Sequence, residues 1–208
     1  MEFQNLKGDF ISNLYETSKS KKQGSAVLST QEKNIAVYDL DKVKDWFCDT
    51  YRNRERIRSC DAYYQDGNNY LVIEFKNTHH LRMKEFISEI TVKLVDTHFL
   101  LAETFFGNKK VSKIAFTVNM LLVYNDSLDY GKGVKNISSA LNTMTPMRGN
   151  TSRKSIEKQV YSNENEYERD VNKIKAMFQS DFYKSVEFVD KKDFMVDYIE
   201  SSYFSTLN

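Results

Sequence analysis

Proline is nearly missing from this chain of 208 residues: Pro146 is the only one, and there are only seven glycines. With so few breakers and with 14 Phe and 13 Tyr, the chain is neither disordered nor loop-rich. Charge of one sign is missing too. A net charge of +1 excludes a strongly basic binding protein, so any nucleic-acid surface must be a local patch. Two cysteines, Cys48 and Cys60, have no metal-ligand spacing and read as reduced thiols. No apolar run reaches the roughly 20 residues of a membrane span. The N-terminal Met-Glu-Phe-Gln-Asn-Leu-Lys-Gly-Asp carries charge where a signal peptide is apolar. A soluble cytoplasmic protein without a membrane partner is expected, with a homodimer left open. Solenoid or propeller repeats are absent, and the length fits a single domain.

What is present centres on residues 58–77. Tyr63 and Tyr64 in one run, and Leu71, Val72, Ile73 and Phe75 in the next, read as two strands joined around Asp66-Gly67. Side chains alternate along a strand, so Asp61 shares a face with Tyr63, and Tyr70, Val72, Glu74 and Lys76 share another. A two-residue loop at Asp66-Gly67 pairs Asp61 with Val72 and makes Glu74 its diagonal neighbour. A four-residue loop over Asp66 to Asn69 sets Asp61 opposite Glu74. Both place two carboxylates and a lysine on one face, within about 4.5–8 Å. A three-residue loop without a bulge splits them.

Two such acids repel unless a cation lies between them. A hard divalent ion, Mg²⁺ or Mn²⁺, suits oxygen ligands and keeps several waters. Lys76 could then orient a water or support charge developing on a phosphate. The plainer account is a solvent-facing hairpin with Asp, Glu and Lys on its wet side.

Asp61, followed thirteen residues later by Glu74-Phe75-Lys76 on an apolar strand and then a helix, resembles the core of the PD-(D/E)-x-K nuclease superfamily. The resemblance covers residues 55–125, with Cys60 where the family has its proline. It implies a restriction-endonuclease-like α/β fold, a mixed central sheet flanked by helices. It also implies phosphodiester hydrolysis with Mg²⁺, with Asp61 and Glu74 as metal ligands and Asp61, Glu74 and Lys76 as the catalytic set. The three should converge at the end or edge of the sheet, open to solvent.

Upstream, Phe3, Leu6, Phe10 and Leu14 predict an amphipathic helix over 2–17. Glu16, near its end, is a surface residue or an additional acid of the site. Lys19 to Gly24 is a basic linker. Residues 34–38 form a short strand or a helix lead-in. Leu40, Val43, Phe47 and Tyr51 predict a helix capped by Asp39 or Asp41, with Trp46 packed. Arg52, Arg54, Arg56 and Arg58 follow as four arginines within seven positions. They are a phosphate grip, since guanidinium forks suit phosphate, or a solvated helix end.

Downstream, His79 and His80 have no third partner for zinc. Residues 81–106 carry a wide apolar helical face, with His98 in the core and Glu85, Glu89 and Lys93 as i,i+4 surface pairs. Gly107 ends that helix. Residues 113–124 read as a buried strand parallel to one of the hairpin strands.

The nuclease-like core is placed at 34–125, with a helical and irregular extension over 126–208. Within the extension, 126–162 reads as an irregular excursion with one short helix at Val134 to Leu141. Arg148, Arg153 and Lys154 there are mobile-loop residues or a polyanion contact. A helix is expected over 164–178, a strand over 185–189 and a terminal helix over 192–204. The expected function is a Mg-dependent nuclease acting on DNA or RNA. The alternative is a catalytically inactive nuclease-fold protein that binds nucleic acid or another protein.

Overall fold

The computed structural model describes residues 3–19, 26–28, 35–51, 57–76, 83–107, 112–124, 168–169, 171–201 and 203–204. Arg52, Arg54, Arg56, His79, His80, the basic linker beyond Lys19 and the whole 126–162 stretch lie outside them.

Among the described residues, six strands form one mixed sheet in the order β1 (Ile11–Asn13), β2 (Ala36–Asp39), β3 (Ala62–Asp66), β4 (Asn69–Lys76), β5 (Val118–Tyr124) and β6 (Ser185–Asp190). The first four run as an antiparallel meander. β5 and β6 then add in parallel. A parallel neighbour needs a long crossover, and between β4 and β5 the chain supplies a helix over Met83–Thr104.

The alternation along β4 and β5 decides what each face buries. Val72, Met120 and Leu122 point to one cluster, with Ile90, Leu94 and Leu101 of the crossover helix and Ile174 and Phe178 of a helical stretch at 171–178. Leu71, Ile73, Phe75, Leu121 and Val123 point to the other. There they meet Leu14 of a short helix (Leu14–Thr17) and Phe194 and Phe204 near the C-terminus. The sheet is thus covered on both faces, as a parallel segment requires. The fold is mixed α/β, as expected.

Several elements depart from the sequence reading. Residues 3–17 are not one helix: 3-10 turns at Phe3–Asn5 and Lys7–Phe10 lead into β1 and then Leu14–Thr17. Asn13 starts that last turn afresh, its side-chain oxygen accepting from the Glu16 N–H at 2.8 Å, while residues 11–13 pair with β2 instead. Glu16 itself is exposed and bonded to Lys19.

The segment expected as a strand over 113–124 is helical over Ser112–Thr117, and only Val118–Tyr124 is extended. Ile114 and Ala115 are buried by that turn, and Phe116 is left out in solvent. The terminal helix is α-helical only over Lys191–Phe194 and widens to a π-type turn over Met195–Glu200. The helix over Leu40–Thr50 is capped by Asp39, whose carboxylate accepts from Asp41 and Lys42 N–H groups. Trp46 packs against Phe3 and Phe10.

Candidate functional site

The β3–β4 turn sets the site. Asp66 pairs with Asn69, leaving Gly67-Asn68 as the two turn residues. Gly67 has φ +53°, the positive value a tight hairpin turn needs at its first position. The pairing Ala62↔Ile73, taken one step further, sets Asp61 opposite Glu74. This is the register expected of the four-residue loop over Asp66 to Asn69, closed by one more pair. Asp61 sits just before β3, tied by its N–H to the Ile73 carbonyl (3.1 Å) and by its carbonyl to the Leu40 N–H (3.2 Å). Its side-chain Oδ2 accepts from the Phe75 N–H at 2.7 Å.

Glu74 breaks the pattern of its strand. Leu71 to Phe75 are all buried, and β4 lies between β3 and β5, yet the fourth of these five residues is an acid. The Glu74 side chain is 1% exposed. Its Oε1 takes the Lys93 ammonium at 2.7 Å and the Lys76 ammonium at 3.1 Å. Its Oε2 is buried with no hydrogen-bond partner among the described residues. Lys76 also holds Glu89 Oε1 at 2.8 Å.

The expected trio therefore does converge, at the C-terminal end of β4. The expected openness to solvent fails at Glu74, which is buried under the crossover helix, while Asp61 and Lys76 stay partly exposed. The i,i+4 surface pairing expected of Glu89 and Lys93 is likewise overturned. Both side chains turn to the sheet, one to Lys76 and the other to Glu74. The Glu85 side chain lies outside the described residues.

The electrostatics follow from burial. Loss of water pushes the Asp61 carboxyl well above the usual carboxylate range, and the Glu74 charge adds to this. Lys93 and the Phe75 N–H oppose the rise without cancelling it. Burial is the largest single influence on Lys76 and Lys93 and lowers both, but Glu74 and Glu89 together at the first, and Glu74 and Asp61 together at the second, more than offset it, so both lysines are raised and charged. Glu89 is held low: burial would raise it, but the Lys76 hydrogen bond and the Lys76, Lys93 and Arg58 charges prevail.

The surroundings come from the 57–60 segment, tied to the crossover helix and to the Leu40–Thr50 helix. Cys60 N–H donates to Thr97 Oγ1 at 2.8 Å, and the Ser59 hydroxyl donates to Asp41 Oδ1 at 3.0 Å. Arg58, exposed, ties its N–H to Asp96 Oδ2 at 2.8 Å. It is the one described member of the arginine run. Cys48 and Cys60 are both free. His98 is buried against Phe182 and Tyr183, a core histidine as expected.

Among the described residues no group of three or more metal-capable side chains occurs. None of the described helices is long and apolar enough to cross a membrane. No family model, curated protein or solved structure matches the chain.

Proposed function

We propose that this chain is a metal-dependent nuclease of the PD-(D/E)-x-K kind, restriction-endonuclease-like in fold, hydrolysing phosphodiester bonds of DNA or RNA. The observation that carries the reading is the buried Glu74 on an interior strand, beside Asp61 and followed by Lys76 on the same face. A solvent-facing hairpin would not bury that acid.

The donor set fits a hard divalent cation. Glu74 Oε2 is an orphaned buried oxygen, and an acid pair of this kind is what Mg²⁺ uses together with waters and substrate phosphates. Asp61 and Glu74 would hold the ion. It would supply Lewis-acid polarisation of a phosphate oxygen and a water of lowered pKa.

Lys76, charged and held between Glu74 and Glu89, is a donor rather than a proton acceptor. Its role is to orient a water or stabilise charge on the phosphate, where one well-placed donor is worth about 10²–10³ in rate. Arg58 stands near Glu89 as a contact for the phosphate backbone. Two free thiols fit the reducing cytoplasm.

The test is cleavage of DNA and RNA by the purified protein with Mg²⁺ or Mn²⁺. Activity should stop with chelator and be lost in folded Glu74→Gln and Lys76→Ala. Glu74→Gln should lose metal affinity, whereas Lys76→Ala should keep the metal and lose rate. Cleavage that survives Glu74→Gln refutes the assignment. Nucleic-acid binding without cutting or metal uptake would leave the inactive nuclease-fold alternative.

A further inference from the structure

Two ammonium groups meet one oxygen of Glu74, and they are not equivalent. Lys76 reaches Oε1 at 3.1 Å and is shared with Glu89 at 2.8 Å. Lys93, arriving from the crossover helix, lies closer, at 2.7 Å, and its charge also acts on Asp61. Because Lys76 is shared with Glu89, it does not offset Asp61 and Glu74 by itself, and Lys93 supplies the further positive charge. Both lysines occupy Oε1, so the oxygen left for any other cation is the buried, unpartnered Oε2.

A buried ion pair is a poor way to gain stability, since apolar residues of similar volume often do as well or better. Breaking such a pair, in contrast, leaves an uncompensated charge. Here the acids are two, and without Lys93 the metal-free site would hold Asp61 and Glu74 against Lys76 alone.

We propose that Lys93 is the internal counter-ion of the Asp61–Glu74 pair. It keeps the site intact without metal and, by its positive charge, sets the affinity for a divalent cation below what the two carboxylates would otherwise give. This rests on the metal-site reading above. Lys93 is a positioning residue: it acts on the cation through the electrostatics of Glu74 and Asp61.

The test is Mn²⁺ titration of the full chain by calorimetry, with thermal melts in EDTA and in Mn²⁺. The variants are Lys93→Gln, which can still donate to Oε1 without charge, Lys93→Met, which fills the space, and Lys93→Arg, which keeps the charge. Gln and Met should bind Mn²⁺ at least tenfold more tightly than wild type. They should melt lower in EDTA and gain more from Mn²⁺, as expected when a ligand binds only the folded state. Arg should stay near wild type.

Glu74→Gln should abolish the binding, which locates the ion. If Lys93→Met does not fold in EDTA, Lys93→Gln carries the comparison. Folded Lys93→Gln with equal or weaker Mn²⁺ affinity overturns the counter-ion role and leaves the metal site standing. No Mn²⁺ uptake by wild type or by any Lys93 variant at millimolar metal overturns both.

Discussion

Replacing Glu74 by Leu in the metal-free protein is the most direct probe of the buried charge cluster. The change removes two ammonium contacts, 2.7 Å to Lys93 and 3.1 Å to Lys76, and leaves two cations facing an apolar side chain. Breaking one partner of a buried pair typically costs about 3–5 kcal/mol. Three features pull the value to the low end. Lys76 keeps Glu89, both lysines retain 18–19% side-chain exposure, and Asp61 is relieved of the Glu74 charge. A loss of about 3 kcal/mol is expected. In a chain of this size that is a fall in Tm of about 6–12 °C.

Adding Lys93→Met should restore at least half of that loss, because the pair then becomes apolar on both sides. The coupling between the two sites should reach about 1.5 kcal/mol or more. Urea unfolding in EDTA at pH 7 measures this, read as a shift in midpoint at unchanged slope. A Glu74→Leu protein as stable as wild type would refute the reasoning, since the lysine contacts would then not offset the burial of Glu74.

Two further outcomes follow from the shell and core around the site. Thr97→Val keeps shape but leaves the buried Cys60 N–H without its acceptor, and should cost about 1–3 kcal/mol in urea unfolding, whereas Thr97→Ser should be near neutral. Burial lowers the His98 imidazole pKa, against a weaker pull from the Phe182 backbone. The folded value therefore lies below the unfolded one, and the contribution to stability is complete above a pH of about 6.5. It is lost as the pH falls below that value, by at most about 1.4 kcal/mol per pH unit. His98→Leu should flatten the urea midpoint between pH 7.5 and 5, and a wild-type midpoint that falls no more over that interval than the variant's would refute the assignment.

The sheet's centre was legible because its signals are local. Asp66-Gly67 marks the hairpin, the apolar run Leu71, Val72, Ile73 and Phe75 marks β4, and the long apolar helix marks the crossover. The N-terminal stretch misled for the same reason. Phe3, Leu6, Phe10 and Leu14 recur at helical spacing, yet Phe3 and Phe10 stack on each other at 5.4 Å across a pair of 3-10 turns, and pairing with β2 overrides the periodicity. Lys93 was hidden because Glu89 and Lys93 stand four apart and mimic a surface pair.

A different stripe carried the truth. Ile90, Lys93, Thr97 and Leu101 follow one another at intervals of three and four. Ile90, Thr97 and Leu101 are fully buried, and a lysine inside such a row needs a buried acid to meet. The acid stands in β4, where an apolar side chain would fill the same place. Two local rules are broken on two elements, and each violation is the other's partner. Where sequence rules fail in matched pairs, function is the reason to look for first. Here both failures meet at Glu74, beside Asp61, with one carboxylate oxygen unpartnered among the described residues.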